Sequence, residues 1–332
     1  MVEFGPLDEL ARDPMVTDVA VTCEGRVWAD RGEGMEECHL RLPLRNPRIV
    51  REYAVQLCAQ MGRRLDDACP IADASSVEGI RVHAVIEPLV PQGAAISIRF
   101  PDRAGKYLVS LGRAGLFPEE WSGVLKALVV QRARVLITGG TGVGKTTLLK
   151  AMLAECDVND RIITVEEVRE LGGLHHGNSV SLVSREANVE GAGAVELSDL
   201  VKATLRMRPD RVVLGECRGK EVVDLLRAFN SGHHGGMTTL HADGVARVPA
   251  RLVSLGMLAG LEPESLALLA EGAFDAVLHL ERHRGRRRIA QIGCLSVCDG
   301  ALIGVPVSVW GGIGTAVMPG VAWSRFAGRW KL

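Results

Sequence analysis

Cysteine pairs of the C-x-x-C type are absent from the sequence, although it contains eight cysteines. Their scattered spacing argues against a zinc site and a disulfide framework, and it favours reduced thiols in a cytosolic protein. Excess charge is also lacking: the formal net charge is −1, which argues against a protein that coats nucleic acid. The first residues include an acid and lack a basic segment followed by an apolar core, so we predict no signal peptide.

Charged side chains are missing from residues 300–324, a stretch long enough to cross a bilayer. Pro306, Pro319 and several glycines lie within it, and they disfavour a continuous helix. Two interpretations remain open. We favour a buried or partner-facing tail, and the alternative is a membrane segment.

The most informative segment runs from residue 139 to residue 147 and matches the phosphate-loop pattern G-x-x-x-x-G-K-[ST]. An apolar, β-branched run precedes it and helix-forming residues follow, which is the setting that the pattern requires. Glycines leave backbone N–H groups free to surround phosphates, and the helix N-terminus adds partial positive charge. We expect Lys145 to reach the β- and γ-phosphates and the Thr146 hydroxyl to ligate Mg²⁺. The predicted nucleotide-binding residues are Gly139, Gly140, Thr141, Gly142, Val143, Gly144, Lys145, Thr146 and Thr147.

The N-terminal third has strand and helix patterns but no phosphate loop. Residues 47–62 show an apolar helical stripe between Pro47 and Gly62. Residues 79–89 alternate, with Ile80, Val82, Ala84 and Ile86 on one face, and residues 96–100 alternate in the same way. The pattern predicts a small α+β unit that ends near residue 100, followed by a loop-rich linker to about residue 118.

From Trp121 onward, helical segments alternate with short apolar runs, which is typical of a mostly parallel α/β sheet. The predicted strands are residues 135–138, 161–165, 211–215, 237–240 and 276–280. The predicted helices are residues 145–155, 197–207, 219–229 and 264–271.

Acidic residues follow two of these strands. Glu166 and Glu167 end the run after residue 161, and Glu216 ends the run that begins at Arg211. An acid at the carboxyl end of a parallel strand lies in the ligand crevice of an open α/β sheet. Triphosphate hydrolysis needs a fixed Mg²⁺ and a carboxylate that holds or polarises the attacking water, and we assign Glu216 as the water-orienting or general-base residue. The alternative for each is an exposed carboxylate at a strand end.

Three histidines lie between residues 231 and 243, among hydroxyl side chains and glycines. The spacing is not that of a zinc site. His233 and His241 are predicted to contact phosphate or to relay its state, because imidazole donates hydrogen bonds and changes charge near neutral pH. The alternative is a structural histidine at either position.

These clusters, in this order and spacing, resemble the motor ATPases of type II and type IV secretion and of type IV pili, within the P-loop NTPase fold. The likeness is strongest to the CpaF/TadA-like branch of tight-adherence pilus assembly. It rests on residues 139–147 as Walker A, 163–171 as an acidic box, 205–218 as Walker B and 232–242 as a histidine box. It covers roughly residues 8–297 and is most specific from 135 to 243.

The resemblance implies an α/β fold with a RecA-like C-terminal domain and a smaller α+β (PAS-like) N-terminal domain. The expected boundaries are 1–100 for the N-terminal domain, 101–118 for the linker, 119–298 for the ATPase domain and 299–332 for the tail. It further implies a homo-hexamer with ATP between domains and subunits, Mg²⁺ held by Thr146 and Glu216, and N-terminal arginines that neutralise charge at the γ-phosphate. The matching positions are Arg81 and Arg99, and a solvated strand arginine is the alternative for each.

The chain departs from the family pattern at three places. Ser75 or Ser76 stands where a further arginine is usual, His234 replaces an acid after His233, and Glu167 replaces Asp. The first change alters the expected number of arginines, and the second bears on the sensing of phosphate release.

A basic run at residues 282–288 lies between two strand-like segments, so we predict a solvated hairpin turn. The alternative is an electrostatic contact with acidic lipid or with a membrane platform protein.

The expected function is therefore ATP hydrolysis that drives domain motion in a cytoplasmic motor at the inner face of the membrane. Its expected partners are a platform protein and, indirectly, pilin or secreted cargo, and nucleic acid is not expected as a direct ligand. Two alternatives remain: a DNA-translocating conjugation ATPase, and an assembly scaffold that binds ATP with negligible turnover.

Overall fold

The computed structural model describes residues 2–32, 34–101, 107–172, 174, 176–185, 187, 192–283 and 285–330. The chain forms two compact units, each with its own hydrophobic core. The first unit comprises the described residues up to 101 together with residues 168–172, and the second unit comprises the remainder. Residues 102–106 of the predicted linker lie outside the described residues.

In the described part of the first unit, six strands form one antiparallel sheet in the order β3-β2-β1-β6-β5-β4. Helix α2 packs on strands β4, β5 and β6. It begins at Pro47, and the Asn46 side chain accepts a hydrogen bond from the Arg48 backbone N–H at 2.9 Å, which caps the helix. The elements are α1 (Asp8–Arg12), β1 (Asp18–Val21), β2 (Val27–Asp30), β3 (Met35–Cys38), α2 (Pro47–Gln60), β4 (Ile71–Ser75), β5 (Arg81–Ile86) and β6 (Ala94–Arg99).

The predicted alternation in the first unit is confirmed. Ile80, Val82, Ala84 and Ile86 are buried, whereas Arg81 is only partly buried and His83 is exposed. The sequence also predicts short strands at residues 16–21 and 26–29, which match β1 and β2, but it predicts no strand at β3 or β4. In β3 no residue is fully buried, so the apolar alternation that marks a half-buried strand is absent there.

The second unit is built on a sheet whose nine described strands run in the order β15-β14-β13-β12-β7-β11-β10-β8-β9. Strands β12, β7, β11, β10, β8 and β9 are mutually parallel, so their carboxyl ends lie along one edge. The elements are α3 (Leu108–Arg113), α4 (Glu119–Val130), β7 (Val135–Thr138), α5 (Lys145–Leu153), β8 (Ile162–Glu166), β9 (Ser179–Val183), α6 (Leu197–Thr204), β10 (Arg211–Leu214), α7 (Glu221–Asn230), β11 (Met237–Leu240), α8 (Val248–Leu258), α9 (Pro263–Ala270), β12 (Ala276–His283), β13 (Arg286–Cys298), β14 (Ala301–Trp310), β15 (Val317–Pro319) and α10 (Trp323–Arg329).

Several segments differ from the sequence prediction. Strand β9 and helices α4, α8 and α10 are absent from the predicted elements. Helix α3 lies inside the stretch predicted as a loop-rich linker, because Leu108 and Leu111 bury one side of a short helix. Strands β14 and β15 lie inside the predicted tail and extend the sheet antiparallel to β13. The prolines and glycines of residues 300–324 do disfavour a helix, but a strand near a sheet edge tolerates them.

No single helix among the described residues is both long and apolar enough to cross a membrane. One bent pair, Val245–Leu258 and Pro263–Ala270, meets the length and composition criteria only when its two parts are taken together.

Candidate nucleotide site

The phosphate loop connects the buried strand β7 to helix α5. Gly139 has a φ of +146° and approaches the next strand closely: a Cβ there would lie 2.3 Å from the carbonyl oxygen of Leu280. Gly144, the N-cap of helix α5, is in the left-handed conformation, with a φ of +99°. Side chains at these positions would be strained or would collide, so the loop needs glycine at both. The predicted strand–loop–helix setting is confirmed.

Lys145, the first residue of α5, is buried and turns back over the loop. Its Nζ donates hydrogen bonds to the carbonyl oxygens of Gly139 at 2.9 Å and of Gly140 at 2.8 Å. The ammonium group is therefore held within the loop, where backbone N–H groups and the helix N-terminus also favour an anion.

Glu216 follows strand β10 at the carboxyl edge of the sheet and is held on both of its oxygens. Its Oε1 lies 2.9 Å from Nε2 of His241, and its Oε2 accepts a hydrogen bond from the Arg218 guanidinium at 2.7 Å. The side chain is 17% exposed, so these contacts fix its direction.

His241 follows the adjacent strand β11 and lies between the acid and the phosphate loop. Its Nε2 is 3.3 Å from Nζ of Lys145. Burial and the positive charge of Lys145 lower the pKa of His241 from its ordinary value of 6.5, although Glu216 opposes the shift. The neutral imidazole is therefore favoured.

The two acids at the end of β8 lie beside Glu216. Glu166 is buried, and a Cβ on Gly215 would lie 3.0 Å from its Cγ. Glu167 is exposed and accepts a hydrogen bond from Arg218 at 3.3 Å. Arg218 thus links Glu167 to Glu216. Arg218 is not among the site residues predicted from the sequence, although its position two residues after Glu216 could have indicated it.

The backbone around Glu216 is fixed by strand β11. Thr239 donates its hydroxyl to the Gly215 carbonyl at 2.8 Å, and the Cys217 N–H donates to the Thr239 carbonyl at 2.9 Å. Burial raises the pKa of the Cys217 thiol to about 12, so this cysteine remains a neutral packing group.

His233 lies elsewhere in the second unit. Its Nδ1 is 3.2 Å from the Ala228 carbonyl, at the end of helix α7, and His233 precedes strand β11 whereas His241 follows it. The amino ends of parallel strands lie along one edge of the sheet and their carboxyl ends along the other. His233 is at the amino end of β11, and among the described residues it contacts none of Lys145, Glu216 and His241. Its role in sensing phosphate stays a prediction.

Arg81 and Arg99 belong to the first unit and face each other across strands β5 and β6. Arg81 donates to Glu170 at 2.7 Å, and Arg99 donates to Asp18 at 2.9 Å. Both line a cavity of about 390 Å³ in that unit. Glu170 is the acid that orients Arg81.

The donor set suits a magnesium–nucleotide complex. Mg²⁺ prefers hard oxygen ligands and takes one or two protein oxygens together with substrate phosphates and water. Thr146 in the first turn of α5 and the carboxylates of Glu216 and Glu166 offer such oxygens. No cluster of three or more His, Cys, Asp or Glu ligands occurs among the described residues, so the site lacks a dedicated protein cage.

Comparison with known proteins agrees with this geometry. Residues 1–285 match the family described as type II/IV secretion system protein. A Mycobacterium tuberculosis protein named for conjugal transfer is 42% identical over 313 residues, covering 92% of this chain and 88% of the relative. The type IV secretion system protein PtlH of Bordetella pertussis is 30% identical over 309 residues, covering 83% of this chain and 89% of the relative.

Solved structures show the same fold. The pilus retraction motor PilT with bound ADP aligns with a TM-score of 0.61 at 18% identity, covering 99% of this chain and 87% of that one. The Legionella pneumophila ATPase DotB aligns with a TM-score of 0.57 at 20% identity, covering 90% of this chain and 78% of that one. At these identities the likeness is one of fold.

Proposed function

Since the chain belongs to the type II/IV secretion system protein family, we propose that it is a motor ATPase that hydrolyses ATP to power secretion or pilus assembly. One observation carries the proposal. Glu216 and Lys145 come from different elements, yet both approach Nε2 of His241: Oε1 of Glu216 lies 2.9 Å from it and Nζ of Lys145 lies 3.3 Å from it. A carboxylate is thereby set beside a phosphate loop, which is the arrangement that triphosphate hydrolysis needs.

In this proposal each residue has a distinct task. The loop backbone and Lys145 bind the β- and γ-phosphates, and Glu216 orients the attacking water. Arg218 and His241 hold the two carboxylate oxygens of Glu216 in place. Mg²⁺, held by Thr146 and the neighbouring carboxylates, would supply charge neutralisation at the phosphates. Glu166 supports this network from its buried position.

The first unit supplies the remaining charges in this proposal. Arg81 and Arg99 neutralise the charge that develops on the γ-phosphate, as the resemblance implies. Because an N-terminal arginine and a phosphate loop must meet for this, we propose a homo-hexamer whose RecA-like and N-terminal domains close on ATP in turn. Its site of work would be the cytoplasmic face of a membrane, against a platform protein.

The cargo is the finer question. The motifs favour the tight-adherence pilus branch, whereas the relatives cited above carry names from conjugal transfer and type IV secretion. A DNA-translocating motor is therefore the second candidate. Single-stranded DNA that raises the rate of phosphate release would favour it, and a rate unaffected by DNA would favour a protein cargo.

The proposal is tested by steady-state phosphate release from the purified full chain with Mg²⁺ and ATP. We expect turnover that requires Mg²⁺ and an oligomer visible in sedimentation. Lys145→Ala should abolish nucleotide binding, whereas Lys126→Ala, at an exposed position on α4, should bind normally. Tight binding without turnover in the unaltered chain would instead support a nucleotide-gated scaffold.

A further inference from the structure

The hairpin of strands β12 and β13 lies against the phosphate loop. His279 on β12 pairs with Thr138, the residue before the loop, and its Nδ1 is 3.1 Å from the Thr138 hydroxyl. One residue further, the Leu280 carbonyl makes the close approach to Gly139 described above. The base of the hairpin is therefore fixed to the start of the loop. The described residues of the basic run, 282–283 and 285–288, lie at the end of the hairpin, and residue 284 lies outside the described residues.

One arginine of this run reaches the other end of the loop. The Cδ of Arg287 lies 3.6 Å from the position that a Cβ would take on Gly144, where helix α5 begins. Arg287 is exposed, and its guanidinium makes no hydrogen bond or ion pair with the residues that the structure describes. Its neighbour Arg288 differs, because it donates to Glu281 at 2.9 Å.

Beyond the pair of Glu281 and Arg288, the described cross-strand pairs at the end of the hairpin are made of basic residues. Arg287 stands directly opposite Arg282, and Arg286 stands opposite His283. Like charges directly opposite each other in an antiparallel pair are destabilising. An anion bound beside the hairpin would relieve that repulsion, and the phosphate loop is the nearest structure built to receive one.

We propose that Arg287 is a nucleotide-binding residue that contacts the phosphates held by the loop. The inference rests on the proposed function and adds to it a cation from the second unit itself, separate from Lys145 and from the arginines of the first unit. The stem of Arg287 lies along Gly144, so its guanidinium can reach a phosphate oxygen and donate charge-assisted hydrogen bonds.

The test is the dissociation constant of Mg–ADP for the full chain, measured by calorimetry. Arg287→Gln should weaken binding about five- to tenfold, and its affinity should depend less steeply on salt. Arg287→Lys should recover part of the loss. The matched control is Arg286→Gln, which removes an equal charge one residue away, on the opposite face of the strand, and should change affinity less than about twofold.

Three results would overturn the inference. They are ADP affinity unchanged in Arg287→Gln, an equal loss in both glutamine variants, and loss of binding to phosphatidylserine vesicles with ADP affinity intact. The last result would assign the hairpin to a membrane surface. If the unaltered chain does not bind ADP, the proposed function fails as well. If Lys145→Ala abolishes ADP binding but Arg287→Gln leaves it intact, only this inference fails.

Discussion

Nε2 of His241 lies 2.9 Å from Oε1 of Glu216 and 3.3 Å from Nζ of Lys145. One nitrogen therefore faces an acid that follows β10 and a cation that begins α5. A neutral imidazole with its proton on Nε2 can donate to Glu216, and protonation of the ring would add a second positive charge beside Lys145. The arrangement couples the charge of the phosphate loop to the state of the acid.

The first prediction concerns the titration of His241. Its pKa is lowered by burial and by Lys145 and is raised by Glu216. We expect a pKa below 6.5 in the free chain, a rise in Lys145→Ala and a further fall in Glu216→Gln. NMR titration of the imidazole measures all three values. A shift in the opposite direction in either variant would contradict the geometry.

The same shift fixes the sign of a stability change. A histidine with a lowered pKa in the folded state takes up its proton more readily when unfolded, so its contribution is present above 6.5 and lost as the pH falls toward the folded pKa. We expect the free energy of unfolding, measured in urea, to fall between about pH 7.5 and about pH 5.5. The fall should be smaller in His241→Gln than in the unaltered chain. Equal losses would mean that His241 titrates normally.

The second prediction separates binding from turnover at Glu216. Glu216→Gln keeps the shape of the side chain and its contact with Arg218, but removes the charge that orients water. We expect ADP and ATP affinities within a few-fold of normal and a rate of phosphate release lowered by about 10²–10⁴-fold. Glu264→Gln, at an exposed position on α9, is the control. Unchanged hydrolysis in Glu216→Gln would remove this residue from the role.

Much of the site can be predicted from the sequence, because its residues lie at the ends of parallel strands that are neighbours in the sheet. Glu166, Glu216 and His241 each lie at or just beyond the carboxyl end of β8, β10 or β11, and one edge of the sheet collects them. His233 shows the limit of that reasoning. It stands eight residues before His241 in the same motif, but a whole strand separates the two, so they lie at opposite ends of β11.

Contacts between residues that are far apart in the chain could not be predicted from the sequence. Glu170 pairs with Arg81, 89 residues away, and Arg287 reaches Gly144 from a hairpin that is distant in sequence. Strands β14 and β15 likewise depend on pairing with β13 rather than on a periodic pattern of their own. Local propensity carries no information about such partners.

The third prediction concerns stability in the second unit. Asp160 is buried and accepts hydrogen bonds from Arg211, at 2.6 Å, and from Arg132. Asp160→Asn would leave the buried Arg211 without its counter-charge, so we expect a loss of about 3 kcal/mol in the free energy of unfolding. Lys220→Gln, which breaks the exposed pair with Glu196 in the same unit, should cost far less.

Urea unfolding followed by tryptophan fluorescence suits this comparison, because four of the five tryptophans (Trp121, Trp310, Trp323 and Trp330) lie in the second unit. Similar losses in the two variants would show that the buried cluster contributes no more than a surface pair.

The last prediction tests the arginines of the first unit. Arg81 is 29% exposed, and its pair with Glu170, itself 32% exposed, is partly solvated, so the pair contributes little to stability, below about 1 kcal/mol. A purely structural Arg81 could therefore be removed at small cost. If Arg81 instead neutralises charge on the γ-phosphate, Arg81→Ala should lower the rate of ATP hydrolysis by about 10³-fold with ADP affinity nearly unchanged.

Two variants make the result interpretable. Arg48→Ala removes an exposed arginine of the same unit and should hydrolyse ATP normally. Glu170→Gln keeps Arg81 but releases its guanidinium, so it should lower the rate by less than Arg81→Ala does, and the melting temperatures of both should stay close to normal. An Arg81→Ala chain that turns over at the full rate would confine this arginine to its pair with Glu170.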